Sequence, residues 1–238
     1  MDLMNLIVPR QELNTGTVLN LDNEQCIISS VRGKGASSIV YEATLNNRRI
    51  ILKELYPTSM GILRTANSSL IIPEKQKDKF QNSKMALKMA FDLQLQFFND
   101  FPNHIVEPQK LYEYNNTLYI VMHLSNGSSY DDVKPTDILA IFEVAKSLSA
   151  AIGFYHKKGY LNLDIKPENL FIFPETNQLI QLFDFDTVAT KEDVMQGRFS
   201  YSHGYAAPEV RGPDRRRQDH DRRRDRPGHA DGAGDRYG

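Results

Sequence analysis

Asn162-Leu163-Asp164-Ile165-Lys166-Pro167-Glu168-Asn169 is the stretch whose reading decides the rest of the chain. It follows a segment of helical apolar periodicity and precedes a short apolar strand, so it reads as a tight loop between two buried elements. An aspartate in such a loop orients a hydroxyl and accepts its proton. A lysine two residues on neutralises a transferred phosphate, and an asparagine five residues on offers its carbonyl oxygen to a magnesium ion. Asp164 and Lys166 are therefore candidate catalytic residues, and Asn169 is a candidate metal ligand. The plain alternative is a solvated turn rich in Asp, Pro and Asn. One turn that supplies three parts of a phosphoryl-transfer site favours the chemistry.

Downstream, Leu170 to Phe173 and Leu179 to Phe183 read as two short strands around Pro174-Glu175-Thr176-Asn177. Asp184 ends the second strand, where a buried carboxylate needs a partner and a metal is the natural one. Asp184-Phe185-Asp186 opens a segment that closes on Gly204-Tyr205-Ala206-Ala207-Pro208-Glu209. Upstream, Thr136 to Lys157 reads as a helix capped by Thr136 and stopped at Gly159. Ile138, Ile141, Phe142, Ala145, Leu148, Ile152 and Tyr155 form its apolar face.

The first half reads as a sheet with one helix. Cys26 to Val31, Ser38 to Thr44 and Arg49 to Leu55 form a β-meander, with Asn46-Asn47 as a turn. Pro73 to Asn99 is helical, with Phe80, Met85, Met89, Leu93 and Phe97 as its apolar stripe. Strands around Leu111 to Tyr114 and Leu118 to Leu124 join at Asn115-Asn116. A sheet lobe followed by a helix, a loop and a hairpin suggests two lobes with a cleft between them, reached through Met122 to Asn126.

Two further features point into that cleft. Gly33-Lys34-Gly35 separates the first two strands, and glycine lets backbone amides approach phosphate oxygens. A plain hairpin turn has the same composition, and a dinucleotide-binding fold is excluded because a strand follows the loop. Lys53 lies among Ile50, Ile51 and Leu52. It either reaches solvent from an exposed strand face or aims its ammonium at a nucleotide's phosphates.

In this order the motifs resemble the eukaryotic-type protein kinase family, in a divergent form of the kind met in bacteria, from about Cys26 to Val210. Ile50-Ile51-Leu52-Lys53 stands where Val-Ala-Ile-Lys is usual, Asn162-Leu163-Asp164 replaces His-Arg-Asp, and Asp184-Phe185-Asp186 replaces Asp-Phe-Gly. Ala207-Pro208-Glu209 is intact. The resemblance implies a two-lobed α+β fold and transfer of the ATP γ-phosphate to a protein hydroxyl. Lys166 favours serine and threonine over tyrosine. Gly33, Lys34, Gly35, Val40, Lys53, Met122, His123, Leu124 and Phe171 are then ATP-binding, with Met122 as gatekeeper and the backbone of His123 and Leu124 meeting adenine. Asn169 and Asp184 hold Mg2+, and Asp164 and Lys166 carry the transfer. Departures are Ser38 for the third glycine, Ile51 for a small alanine, Asn162 and Leu163 for the histidine and arginine, and Asp186 for glycine. The helix glutamate has no clear match, Asp92 being the nearest acid. Two other readings are a pseudokinase or nucleotide-binding fragment without catalysis, and a small-molecule phosphotransferase. Lys166-Pro167-Glu168 and Ala207-Pro208-Glu209 speak against the latter.

Composition sets bounds. Of 238 residues, 40 % are hydrophobic and 25 % charged, and the net charge of −1 gives no bulk attraction to nucleic acid or membrane. The sequence holds no run of about 18 consecutive apolar residues of the kind a membrane helix needs. The start lacks the pattern of a signal peptide. The one cysteine, Cys26, sits in an apolar run as a small core residue, which fits a cytoplasmic protein. From Arg211 the text has no Leu, Ile, Val, Phe, Met or Lys. Such a segment cannot offset its ordering entropy and reads as disordered: a native tail, a shifted reading frame or join, or a basic arm carried by Arg215–Arg217 and Arg222–Arg224. The expected divisions are an N-terminal extension (1–25), a kinase N-lobe (26–124), a partial C-lobe (125–210) and the tail (211–238). On this reading the C-terminal lobe is incomplete, the helix from Thr136 lacks its packing partner, and the chain alone has weak activity or none.

Overall fold

The computed structural model describes residues 10–124, 126–176, 179–199, 201 and 205–206. The motif Ala207-Pro208-Glu209 and the stretch 211–238 lie outside the described residues. The upper lobe holds β1 (Val18–Leu21), β2 (Glu24–Lys34), β3 (Ser38–Leu45), β4 (Arg48–Leu55), the short pair β5 (Leu63–Arg64) and β6 (Leu70–Ile71), α1 (Lys77–Asp100), β7 (Pro108–Tyr114) and β8 (Thr117–His123). The lower lobe holds β9 (Ser128–Ser129), α2 (Tyr130–Val133), α3 (Ile138–Lys157), β10 (Tyr160–Asn162), β11 (Leu170–Phe173), β12 (Leu179–Leu182), β13 (Val188–Thr190) and α4 (Lys191–Met195).

The main sheet runs β1-β2-β3-β4-β8-β7, antiparallel throughout. Its hairpins turn on residues that tolerate the left-handed region. Asn46 and Asn47 have φ of 48° and 63°, and Asn115 and Asn116 have 51° and 63°, as a two-residue hairpin of the favoured twist requires. The sheet begins earlier than Cys26. Val18–Leu21 pairs with Glu24–Ile27 through the Asp22-Asn23 turn, and Leu13, Leu19 and Leu21 are buried. Cys26 is fully buried with a free thiol, which burial pushes up to about 11.

Helix α1 serves both lobes. Phe80 and Leu87 enter the upper core, while Phe97 enters the lower one. The expected stripe shifts: Met85 and Met89 are exposed, and Lys84 and Gln94 take inward positions with their heads bonded to Glu113 and to the Val106 carbonyl. Phe97 meets the rings of Phe154, Tyr155, Tyr160 and Phe185 at centroid distances of 4.8–5.6 Å.

Helix α3 starts one residue later than expected. Its cap is Asp137, whose carboxylate accepts from Ala140 N at 3.0 Å, and not Thr136. Gly159 closes it at φ 82°. Val144, Ala151 and Tyr155 face the core, whereas Ile138, Leu139, Ile141 and Phe142 are exposed. Among the described residues this helix alone is long and apolar enough to cross a membrane by length and composition. That leaves the expected absence of a membrane segment without structural support.

Candidate active site

Lys53 occupies the middle of β4, paired with Val40 on one side and Ile120 on the other. It is buried, so it does not belong to an exposed strand face. Its Nζ lies 2.9 Å from Asp184 Oδ1 and 2.8 Å from Asp186 Oδ2. Burial works against the charged ammonium, but the two carboxylates outweigh it and hold the Lys53 pKa above its ordinary value. For Asp184 burial pushes the other way, and Lys53 prevails, so its carboxyl stays below the usual range. Asp186 is raised by burial, opposed by Lys53 and reinforced by the charge of Asp184. Asp184 has φ 69°, a left-handed backbone uncommon for a residue with a Cβ and one that clusters at functional sites.

The loop after β10 gathers the second set. The Asn162 side chain accepts from Asp164 N at 3.0 Å and fixes the turn. Asn169 Nδ2 donates to Asp164 O at 2.8 Å and to Asp164 Oδ2 at 3.0 Å, and Lys166 Nζ lies 2.7 Å from the same Oδ2. Asp164 is buried, and its other oxygen, Oδ1, has no hydrogen-bond partner among the described residues. A buried carboxylate oxygen without a donor is costly and marks a place where something else is meant to bond.

Lys53, Asp184 and Asp186 of the first set and Lys166 and Asn169 of the second open on one cleft of about 630 Å³, while buried Asp164 sits behind Lys166 and Asn169 and does not line it. Its walls include Gly33, Lys34 and Gly35 above, Lys53, Asp184 and Asp186 at the back, and Lys166 and Asn169 below. Val40, Ile51, Met122 and Phe171 supply an apolar end, where Phe171 stacks on Phe183 at 4.8 Å, and His123 also lines the cleft. At Gly33 an added Cβ would meet nothing within 4 Å, and at Gly35 only an ordinary contact with Ser38 O at 3.8 Å. Neither internal packing nor a positive φ therefore demands these glycines, and Gly33 lies at a register irregularity between β2 and β3.

Some expected residues sit differently. Leu124 packs against the upper core and does not line the cleft. The His123 N–H is already spent on Glu107 O at 3.0 Å, so it is no donor for adenine. The Lys34 ammonium turns to Glu12 at 2.6 Å, leaving its backbone to face the cleft. Asp92 is exposed and forms no ion pair with Lys53. Sequence reasoning missed Ser37, whose hydroxyl donates to Asp186 Oδ2 at 3.2 Å. It also missed Arg10, which braces the glycine loop by donating to Gly35 O at 2.7 Å and to Tyr56 O at 2.5 Å. Both join segments far apart in the chain, where no local pattern announces them.

A sheet lobe with one long helix, a lower lobe of helix and hairpins, and a lysine and carboxylates meeting in the cleft define a two-lobed α+β fold with a charged cleft. A model of the protein kinase domain family matches residues 28–225, and the chain belongs to that family. The match passes Val210, where the motif reading ended the likeness, and enters the arginine-rich stretch. Similar proteins include the mitosis inhibitor protein kinase of Candida albicans, 26 % identical over 190 residues, 75 % of this chain and 15 % of that one. Serine/threonine-protein kinase D of Synechocystis is 27 % identical over 128 residues, 51 % of this chain and 25 % of that one. The solved structure of PpkA-294 in its apo form has a TM-score of 0.60 and 26 % identity, covering 73 % of this chain and 61 % of that one. The chain thus spans a quarter or less of the first two relatives' lengths.

Proposed function

We propose that this chain is the nucleotide-binding and catalytic part of a serine/threonine protein kinase that uses ATP and magnesium. The observation that carries the reading is the Oδ1 of buried Asp164, unpartnered among the described residues, in a loop whose Lys166 and Asn169 line the cleft with Lys53 and Asp184. Serine/threonine-protein kinase D as a relative, and the lysine two residues after the aspartate, support serine and threonine as acceptors.

The donor set fits magnesium. Asp184 offers a carboxylate and Asn169 an amide oxygen, its Nδ2 being spent on Asp164. Among the described residues no cluster of three His, Cys, Asp or Glu could hold a metal. That suits an ion completed by phosphates and water rather than a protein cage. When bound, magnesium neutralises charge on the phosphate oxygens.

The chain's residues would share the step as follows. Lys53 binds nucleotide phosphates. Asp164 Oδ1 accepts the proton of the acceptor hydroxyl as its oxygen bonds the γ-phosphorus and the bond to the ADP oxygen breaks. Lys166 neutralises charge on the transferred group, and Asn169 fixes Asp164 in its rotamer. The uncovered face of α3 supports slow turnover by the chain alone. The test is transfer from radiolabelled ATP to casein, followed by phosphoamino-acid analysis. Label on serine and threonine, lost in Asp164→Asn, is the expected result; label confined to tyrosine or to a small-molecule acceptor contradicts it.

A further inference from the structure

Lys53 must present its ammonium at one place in the cleft, and a flexible four-carbon side chain does so only when a fixed counter-ion holds it. Helix α1 turns Ala90, Phe91 and Gln94 to the cleft, none of them acidic. Gln94 is further committed, its amide donating to Val106 O at 2.8 Å. Two carboxylates do reach Lys53, those of Asp184 and Asp186. They differ in what else they can do. Asp184 is the proposed magnesium ligand, and a carboxylate that turns to a metal weakens its hold on an ammonium. Asp186 is not assigned to the metal in that reading. Its Oδ2 takes Lys53 at 2.8 Å and accepts from Ser37 Oγ of the glycine loop at 3.2 Å. One carboxylate oxygen thus ties the segment that Asp184-Phe185-Asp186 opens to β4 and to the glycine loop.

We propose that Asp186 is the positioning residue of this site, the standing counter-ion that fixes Lys53 and the glycine loop, in place of an acid on helix α1. The inference rests on the reading of the cleft as a nucleotide site only for its purpose; the ion pair itself is testable without nucleotide. It also gives Asp186 a reason to stand where glycine is usual. A side chain there supplies the anion that the helix does not.

The test reads Lys53 directly. The full chain is exposed briefly to an acetylating reagent at fixed pH, and modification of Lys53 is quantified by peptide mass spectrometry against exposed Lys79. Asp186→Asn keeps the shape and removes the charge, so Lys53 is expected to react about tenfold faster, the scale of one lost charge-assisted hydrogen bond. Asp186→Glu is expected to restore most of the protection, which a merely space-filling role would not require, and Asp92→Asn is expected to change nothing. Should Asp186→Asn fail to fold, as judged by its melting curve, Ser37→Ala serves as the second variant, with a smaller gain in Lys53 reactivity. Equal Lys53 reactivity in Asp186→Asn and the unmodified chain, or faster reaction in Asp92→Asn, overturns the proposal. Added ADP forms a separate arm. If it gives Lys53 no protection, the nucleotide reading fails, while the variants still decide the counter-ion.

Discussion

Two buried carboxylates, one in each lobe, are treated in opposite ways. Glu54, next to Lys53 on β4, is fully buried and fully paired. Arg64 grips both oxygens at 3.0 and 2.6 Å, Tyr119 donates to one at 2.8 Å, and Tyr41 donates to the other at 2.9 Å. Asp164 is nearly as buried, yet among the described residues only its Oδ2 is paired. A buried charge costs several kcal/mol unless paired. The upper lobe meets that cost locally and gains rigidity, whereas the lower lobe leaves one oxygen waiting. On the proposed function, the difference separates a carboxylate that holds the fold from one placed for chemistry.

The comparison can be broken from its strongest side first. Glu54→Ala leaves the buried Arg64 guanidinium without its partner and should lower unfolding free energy by about 3–5 kcal/mol. Urea denaturation reads this, and a loss below about 1 kcal/mol would mean that the network contributes little. Phe97→Ala, in the lower core, should cost about 3–5 kcal/mol through lost burial and the cavity left behind. Asp164→Asn should behave differently. Removing a half-satisfied charge should move stability by less than about 1 kcal/mol, while phosphotransfer falls about 10²–10⁴-fold. A variant that loses stability as Glu54→Ala does would erase the contrast.

Smaller effects sharpen it. His104 stacks on Phe101 at 4.3 Å, and its Nδ1 lies 3.0 Å from Ile180 O. Burial lowers its pKa, with the backbone bond acting in opposition. The fold thus favours the neutral ring, so its stability is fully present above the unfolded value near ~6.5 and is lost as pH falls through the folded value. Unfolding free energy should decline as pH drops below about 6.5, and His104→Asn should flatten that part of the profile. Smallest of all, Phe142→Ser on the exposed face of α3 should change stability by less than about 0.5 kcal/mol. A larger loss would show that something covers that face in solution.

How much of this could be read from the sequence follows the reach of each interaction. The hairpin turns at Asn46-Asn47 and Asn115-Asn116, the loop around Asp164 and the strand lysine were legible, because each is set by neighbours a few residues apart. The α1 stripe was read through the wrong members. Counting only apolar residues selected Met85 and Met89, while Lys84 and Gln94 go inward because their polar heads find partners on other elements. The Glu54–Arg64 pair and the Asp186–Ser37 bond escaped for the same reason: their partners come from irregular or distant segments. The cap of α3 at Asp137 rather than Thr136 was a choice between two adjacent capping residues that only geometry separates.

The central claim is that Asp184 faces the metal and Asp164 faces the acceptor hydroxyl. Calorimetric titration of the chain with ATP, with and without magnesium, tests it most directly. The account predicts that Asp184→Asn loses the gain in affinity that magnesium brings, while Asp164→Asn binds magnesium-ATP within about threefold of the unmodified chain, because its reactive oxygen touches neither ion nor nucleotide before transfer. Equal loss of magnesium-dependent binding in the two variants would contradict it.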